Sequence, residues 1–397
     1  MPLHVDNLAE AIQALAQQTA QRSRSGHLER ARALLRALNG PALQAKIDQV
    51  RDRVPWLVAR PTAEPPGATF SLPPTPQDHT VVATDGSHMA PDRHSPVRFI
   101  VLNIGRVRIR YGTKPRAHLT SRGAFWYREE DLHVEDRAGV QHPIESALLG
   151  TIMALEELEA LAEEALHADD PAIALRDGSL IFWHLQNEDP NVQEVLLPRI
   201  TRTLRRFHDM GIPVASYISY PGARDVINSL RVWLCGPCAR LGDCSQCQEC
   251  DPEDGALCTQ LRPVRDRDLF IGYLNPGQRS AIFESSSALQ EKYRDQGGMD
   301  HRIQFFYVHT GVEIARIEAP RWVMETPEYR NRVHALVVDQ CRRGGGYPPA
   351  LQEAHEQAVI TTEDRRIIEV MIEQALARAG IPYIRSMKDR SKRVRGI

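Results

Sequence analysis

The chain has 397 residues, 42% hydrophobic and 25% charged, the proportions of a soluble globular protein long enough for one large or two ordinary domains. A formal net charge of −2 argues against a globally basic nucleic-acid binder, so any nucleic-acid surface has to be local. No run approaches the ~18 apolar residues of a membrane span, and Met1-Pro2-Leu3-His4-Val5-Asp6 lacks a basic region followed by an apolar one, so a cytoplasmic protein is expected.

From residue 7 to 50 the apolar spacing is helical, with Leu8, Ile12 and Leu15 in one series and Leu28, Ala31, Leu34, Leu35 and Leu38 in another, which predicts two helices. They serve packing, dimerisation or contact with DNA. Proline then dominates Arg60 to Asp78, a linker or wrapping arm that cannot be helix or central strand. The apolar run Val81-Val82-Ala83-Thr84 ends on Asp85-Gly86-Ser87, and Val97–Asn103 and Val107–Tyr111 read as consecutive antiparallel strands around Ile104-Gly105-Arg106. A helix is predicted over Ile144–His167 from the stripe Leu148, Ile152, Leu155, Leu158, Ala162 and Leu166. It leads into Ala172-Ile173-Ala174-Leu175-Arg176, which again ends on Asp177-Gly178-Ser179.

Gln193–Met210 reads as a helix stopped by Gly211, and Val214–Tyr220 as a strand stopped by Pro221-Gly222. Beyond a cysteine-rich segment, Ile303–Thr310 and Val312–Ile317 form a hairpin around Gly311. Pro327–Arg342 is helical, Gly344–Pro349 is a tight loop, Leu351–Val359 starts after the prolines, and Thr362-Glu363-Asp364 caps a helix over Arg365–Ala379. The alternation of strands and helices predicts an α/β sheet with parallel members. The chain ends on a basic tail, 385–397, suited to phosphate contacts and equally ordinary as a solvated terminus.

The chemistry concentrates in three places. Two buried strands that each release an aspartate, Asp85 and Asp177, can aim two carboxylates into one crevice, where a shared proton or a divalent cation makes them tolerable; the bland alternative is two tight Asp-Gly turns. A glutamate from the helix between them would complete an Mg²⁺ or Mn²⁺ site, and helical geometry favours Glu159, nearest the apolar stripe, over Glu157. His355 suits a metal ligand or proton shuttle, or simply a half-buried polar residue. Cys235, Cys238, Cys244, Cys247, Cys250 and Cys258 suit tetrahedral Zn²⁺, an iron–sulfur cluster, plain thiols or a disulfide-linked insertion.

The two Asp-Gly-Ser strand ends, the glutamate-bearing helix and the run Tyr347-Pro348-Pro349-Ala350-Leu351-Gln352-Glu353-Ala354-His355 together resemble the NurA family of DNA-end-processing nucleases. The match extends from about Asp85 to Thr361 and includes Arg316-Ile317-Glu318-Ala319-Pro320-Arg321-Trp322-Val323. The resemblance implies a ribonuclease-H-like mixed sheet flanked by helices, a toroidal homodimer, and a manganese- or magnesium-dependent 5′-to-3′ exonuclease and single-strand endonuclease using one or two ions. It also implies a HerA-type hexameric translocase as partner in resecting double-strand breaks. It places Asp85, Asp177 and His355 at the family's active-site positions, and its local match Glu157-Leu158-Glu159-Ala160-Leu161 selects Glu157 against the helical-wheel choice of Glu159. Tyr220 is expected near the site from its strand-end position, and Arg122, Arg128, Arg279 and Arg342 are candidates for phosphate contacts. The cysteine-rich insertion is outside the family's catalytic pattern.

The expected organisation is a helical segment with Pro-rich linker over 1–78, a nuclease domain over 79–384 carrying the insertion 233–260, and the tail 385–397. A non-catalytic DNA-binding or assembly subunit, and a metal-dependent phosphoesterase acting on small substrates, are the competing functions.

Overall fold

The computed structural model describes residues 8–24, 26–50, 56–90, 97–235, 252–295 and 297–381. The basic tail and Cys238, Cys244, Cys247 and Cys250 lie outside them. The chain forms two compact units, one of Met1–Phe70, Pro221–Asn275 and Ser280–Ser286, the other of Ser71–Tyr220, Pro276–Arg279 and Ser287–Ile397.

The first unit is mostly helical. The N-terminal segment forms helices Ala9–Arg24, His27–Ala37 and Gly40–Val50 rather than the expected pair. The extra break falls at Asn39, whose side chain accepts from the Ala42 amide (3.0 Å) and starts a new helix. Ala31 and Leu35 of the second helix and Leu43, Ile47 and Val50 of the third are buried. These helices join Asp225–Leu234, Pro252–Leu261 and Asp266–Phe270. The buried Asp266 accepts from the amides of Val226 (3.1 Å) and Ile227 (2.8 Å), capping a helix start that would otherwise bury unpaired donors.

The second unit is a mixed sheet flanked by helices. Its elements in chain order are β1 (His79–Met89), β2 (Ile100–Tyr111), β3 (Arg116–Trp126), α1 (Ser146–Ala165), β4 (Ala172–Asp177), α2 (Pro190–Met210) and β5 (Val214–Ile218). They continue with β6 (Ile303–His309), β7 (Ile314–Pro320), α3 (Pro327–Arg343), α4 (Pro349–Ala358) and α5 (Thr362–Arg378). Within the sheet these strands run in the order β6-β7-β5-β4-β1-β2-β3. β1, β4 and β5 are parallel, and the strands outside them pair antiparallel. Val81, Val82, Ala83 and Ala172–Leu175 are fully buried, as expected for strands covered on both faces. α2 starts on Asp189, whose carboxylate accepts from the Asn191 amide (2.8 Å), and ends on Gly211 at φ 68°. α5 is capped by Thr361, one residue earlier than expected, with Asp364 closing a capping box.

The run around Gly105 is not a turn between two strands. β2 continues through it, paired with β1 on one side and β3 on the other, and Gly105 lies opposite Asp85. A Cβ on Gly105 would lie 2.2 Å from the Ala354 carbonyl oxygen and 2.7 Å from the Ala358 amide nitrogen, so the glycine lets α4 rest directly on the strand. Asn103 fixes the same helix end by donating to the carbonyls of Gln357 (3.0 Å) and Ala358 (2.9 Å), and Ser87 donates to the Ala358 carbonyl too.

Gly105→Ala is therefore expected to destabilise the chain by about 1–3 kcal/mol, the usual range for overpacking a tight interface. Hydrogen exchange should show faster exchange concentrated in 349–358. Unchanged stability with unchanged exchange there would contradict this packing.

Candidate active site

Thr84 pairs with Arg176 across the parallel strands β1 and β4, and Asp85 and Asp177 follow one residue later. Residues in step on adjacent parallel strands, about 4.8 Å apart, emerge on the same face. Thr84 Oγ1 donates to the Glu157 carbonyl (2.9 Å) and Arg176 Nη2 to Glu157 Oε2 (3.3 Å), so both face α1. Strand alternation then turns Asp85 and Asp177 to the opposite face, toward α4. There His355 Nδ1 lies 2.8 Å from Asp85 Oδ2, and the Tyr347 hydroxyl hydrogen-bonds Asp177.

Glu157 reaches these strand ends from the other side of the sheet. It passes under Gly86, where a Cβ would stand only 2.7 Å from Glu157 Oε1. In Asp85-Gly86 the glycine is thus no turn: β1 runs on to Met89, and the missing side chain is the space the glutamate occupies. The second Asp-Gly does turn, with Gly178 at φ 79°.

The helix-wheel preference for Glu159 is corrected by α1 being covered on two sides. Leu148, Ile152, Leu155, Leu158 and Leu161 are all buried, and α1 packs against both the sheet and α2. Glu159 turns to α2, where with Glu156 it binds Arg199 (2.8 and 3.0 Å), while the buried Glu157 turns to the sheet. A wheel drawn for one buried face cannot choose between two.

The charges interact strongly. Burial pushes the Glu157 carboxyl up to about 7; Arg176 opposes the rise and the negative Asp85 and Asp177 add to it. Burial likewise raises Asp177, opposed by its bonds from Tyr347 and the Gly178 amide, with Asp85 adding to the rise. Arg176 also donates to the Ser179 carbonyl and lies over the Phe182 ring, so its guanidinium is fixed. Tyr347 packs edge-on against Tyr217 at 5.5 Å, and Tyr217 in turn donates to Glu313 (2.6 Å).

Among the described residues no three His, Cys, Asp or Glu side chains already stand close enough to cage a metal. The donor set is nevertheless of the right kind: carboxylate oxygens are what Mg²⁺ and Mn²⁺ prefer, and a cation would offset the negative charge of Asp85 and Asp177 that adds to the burial-driven rise of Glu157.

Tyr220 follows the end of β5, where its amide shares Glu313 with the Tyr217 hydroxyl. It is 65% exposed in a left-handed turn at φ 45°, and Tyr347 hydrogen-bonds the strand-end Asp177. Arg279 is 2% exposed and lies over the Phe306 ring, so its side chain is withdrawn from the surface, whereas Arg122, Arg128 and Arg342 are exposed. Sequence reasoning passed over Arg176, although a guanidinium inside an otherwise apolar strand requires a buried partner. It also passed over Tyr347, in the Gly-rich loop before His355.

Residues 79–360 match the domain family described as the NurA domain. No curated protein matches. Among solved structures the chain is similar to one described as the crystal structure of NurA with manganese, at 13% identity and a TM-score of 0.36, over 93% of this chain and 98% of that one. Among the described residues no helix is long and apolar enough to cross a membrane.

Because the folded Glu157 holds its proton up to about pH 7, the metal-free protein has its full share of stability from this group below the ordinary glutamate range and loses it as pH rises through 7. Glu157→Gln should remove that loss, stabilising the metal-free chain at pH 8 by on the order of 3 kcal/mol, measured by denaturant unfolding across pH 4–8. Parallel pH profiles for the two proteins would contradict the burial of this carboxylate.

Proposed function

The chain belongs to the NurA family, and from that premise we propose that it is a metal-dependent deoxyribonuclease with Asp85, Glu157, Asp177 and His355 as its active-site residues. The observation that carries this reading is the electrostatic coupling of the two strand-end aspartates to Glu157, which comes from one face of the sheet, with His355 against Asp85 and Tyr347 against Asp177 on the other, all within the residues that match the NurA domain. Asp85, Glu157 and Asp177 would hold one or two Mn²⁺ or Mg²⁺ ions, with His355 as a further ligand or as the proton donor. A bound ion would supply an activated water and neutralise charge on the phosphodiester.

The protein's own groups do the rest. Asp85 accepts from His355 Nδ1 and so orients the ring, leaving Nε2 as the nitrogen for proton transfer to the leaving oxygen. Tyr347 holds Asp177 in one rotamer, and Arg176 anchors Glu157 from beneath. Burial raises Glu157 to about 7, so a bound cation would compete with its proton near neutral pH.

We read the core as ribonuclease-H-like, on the support of parallel strands flanked by antiparallel ones with carboxylates on adjacent strands. The substrate in this reading is DNA, cut 5′ to 3′ from duplex ends and internally in single strands. The protein would work as a homodimer with a HerA-type hexameric translocase in resecting double-strand breaks. Exposed Arg122, Arg128 and Arg342 are available for backbone phosphates.

Purified protein incubated with end-labelled linear duplex and single strands should shorten them from 5′ ends in Mn²⁺ and leave them intact in chelator. Asp85→Ala and Asp177→Ala should fall to background with unfolding curves like the parent's. Binding without cleavage would instead identify a non-catalytic subunit, and hydrolysis confined to small phosphoesters would identify a phosphatase.

Tyr347→Phe should retain activity but lose about tenfold in rate, the scale of one hydrogen bond of about 1–1.5 kcal/mol. A rate equal to the parent's would show that Asp177 is positioned without it.

A further inference from the structure

The serine of the second Asp-Gly-Ser has no part in the chemistry proposed above. It meets a buried polar row that crosses the sheet beneath the site. Thr84 of β1, Arg176 of β4, Ser216 of β5 and Glu318 of β7 stand in register on four adjacent strands, and none is more than 7% exposed. Residues in register on neighbouring strands share a face, and Thr84 and Arg176 bond Glu157, so Glu318 too lies on the α1 face. Its Oε2 accepts from Ser179 Oγ (2.7 Å) and the Leu180 amide (3.0 Å), and its Oε1 from Arg316 Nε (2.9 Å). From this geometry we infer that Glu318 is a positioning residue of the active site: through Ser179 it locks the turn that follows Asp177, and so holds Asp177 and Arg176 in place for a cation. The inference rests on the nuclease reading of Asp177.

The two aspartates differ in what supports them. β1 continues past Asp85 to Met89, so the sheet itself fixes the backbone there, whereas β4 ends on Asp177 and the next residue, Gly178 at φ 79°, is the one most free to rotate. Ser179 closes off that freedom from two sides. Its hydroxyl is tied to Glu318 on β7, and its carbonyl accepts from Arg176 on β4. The same hydroxyl oxygen accepts from the Ile181 amide (3.0 Å) and the Trp183 indole (3.1 Å), while the Tyr293 hydroxyl accepts from the Phe182 amide (2.9 Å) and donates to the Leu180 carbonyl (3.1 Å). The Arg316 guanidinium lies 3.6 Å from the centre of the Phe305 ring, which fixes the cation that in turn fixes Glu318. A buried ion pair is a poor source of net stability, because desolvating both charges offsets most of their attraction. What it supplies is direction: a carboxylate held by an arginine accepts from the turn in one geometry.

The test measures Mn²⁺ binding to the full chain by titration calorimetry, and kcat and KM separately on end-labelled DNA. Ser179→Ala should weaken Mn²⁺ binding by about tenfold, the scale of losing a group that orients a metal ligand, and should lower kcat while leaving the KM for DNA unchanged. Glu318→Gln should act in the same direction; if that variant does not fold, Ser179→Ala decides. Ser229→Ala is the control for stability alone, since it removes a buried hydroxyl bonded to Ala59 and Asp225 in the other compact unit. It should bind Mn²⁺ like the parent, and an equal loss of affinity there would overturn the positioning role. Asp177→Ala separates the two ways of failing. If it abolishes Mn²⁺ binding while Ser179→Ala binds like the parent, the positioning role is wrong and the nuclease reading stands. If Asp177→Ala itself binds like the parent, the nuclease site is wrong and the positioning role falls with it.

Discussion

Glu157 sits where charge is expensive. Its carboxyl is buried beneath the ends of two parallel strands, feels the charge of two aspartates and, among the described residues, pairs with one guanidinium, that of Arg176. Burial, with the two aspartates adding to it and the guanidinium opposing it, pushes this carboxyl up to about 7. The same excess of negative charge, with oxygen donors on rigid strands and a helix, is the electrostatic condition under which a divalent cation binds well. The price of that arrangement is stability in the metal-free state.

Two absent side chains make the arrangement possible. Gly86 opens the sheet on the α1 side so that Glu157 reaches the strand ends, and Gly105 opens it on the α4 side so that the helix bearing His355 lies against β2. Any side chain at either position would collide, in the first case with a carboxylate and in the second with backbone. The hydrogen bonds of Asn103 and Ser87 to the last turn of α4 then fix its orientation, which sets the distance from His355 to Asp85. Sheet, helix and histidine are thus coupled through close backbone contact, a packing that tolerates little adjustment.

Much of this was legible in the sequence, for reasons specific to each residue. Asp85 and Asp177 stand out because each ends a run too apolar to be anything but a covered strand, and an acid there must have a function or a partner. The choice between Glu157 and Glu159 is not legible from periodicity, because α1 is covered by the sheet on one side and α2 on the other and both glutamates find partners. Gly105 misleads for a related reason: a glycine between β-rich runs reads as a turn, whereas here it marks close approach of a helix that follows some 250 positions later, at Ala354 and Ala358. Tyr347 and Arg176 act through contacts that only the folded chain defines.

The central claim, that these carboxylates form one cation site, is tested most directly by a crystal of the protein soaked in Mn²⁺ and measured for anomalous scattering at the manganese edge. A peak ligated by Asp85, Asp177 and Glu157, with Arg176 still against Glu157 or displaced from it, is the predicted result. Manganese bound elsewhere, or no ordered manganese at a concentration that supports cleavage, would contradict it.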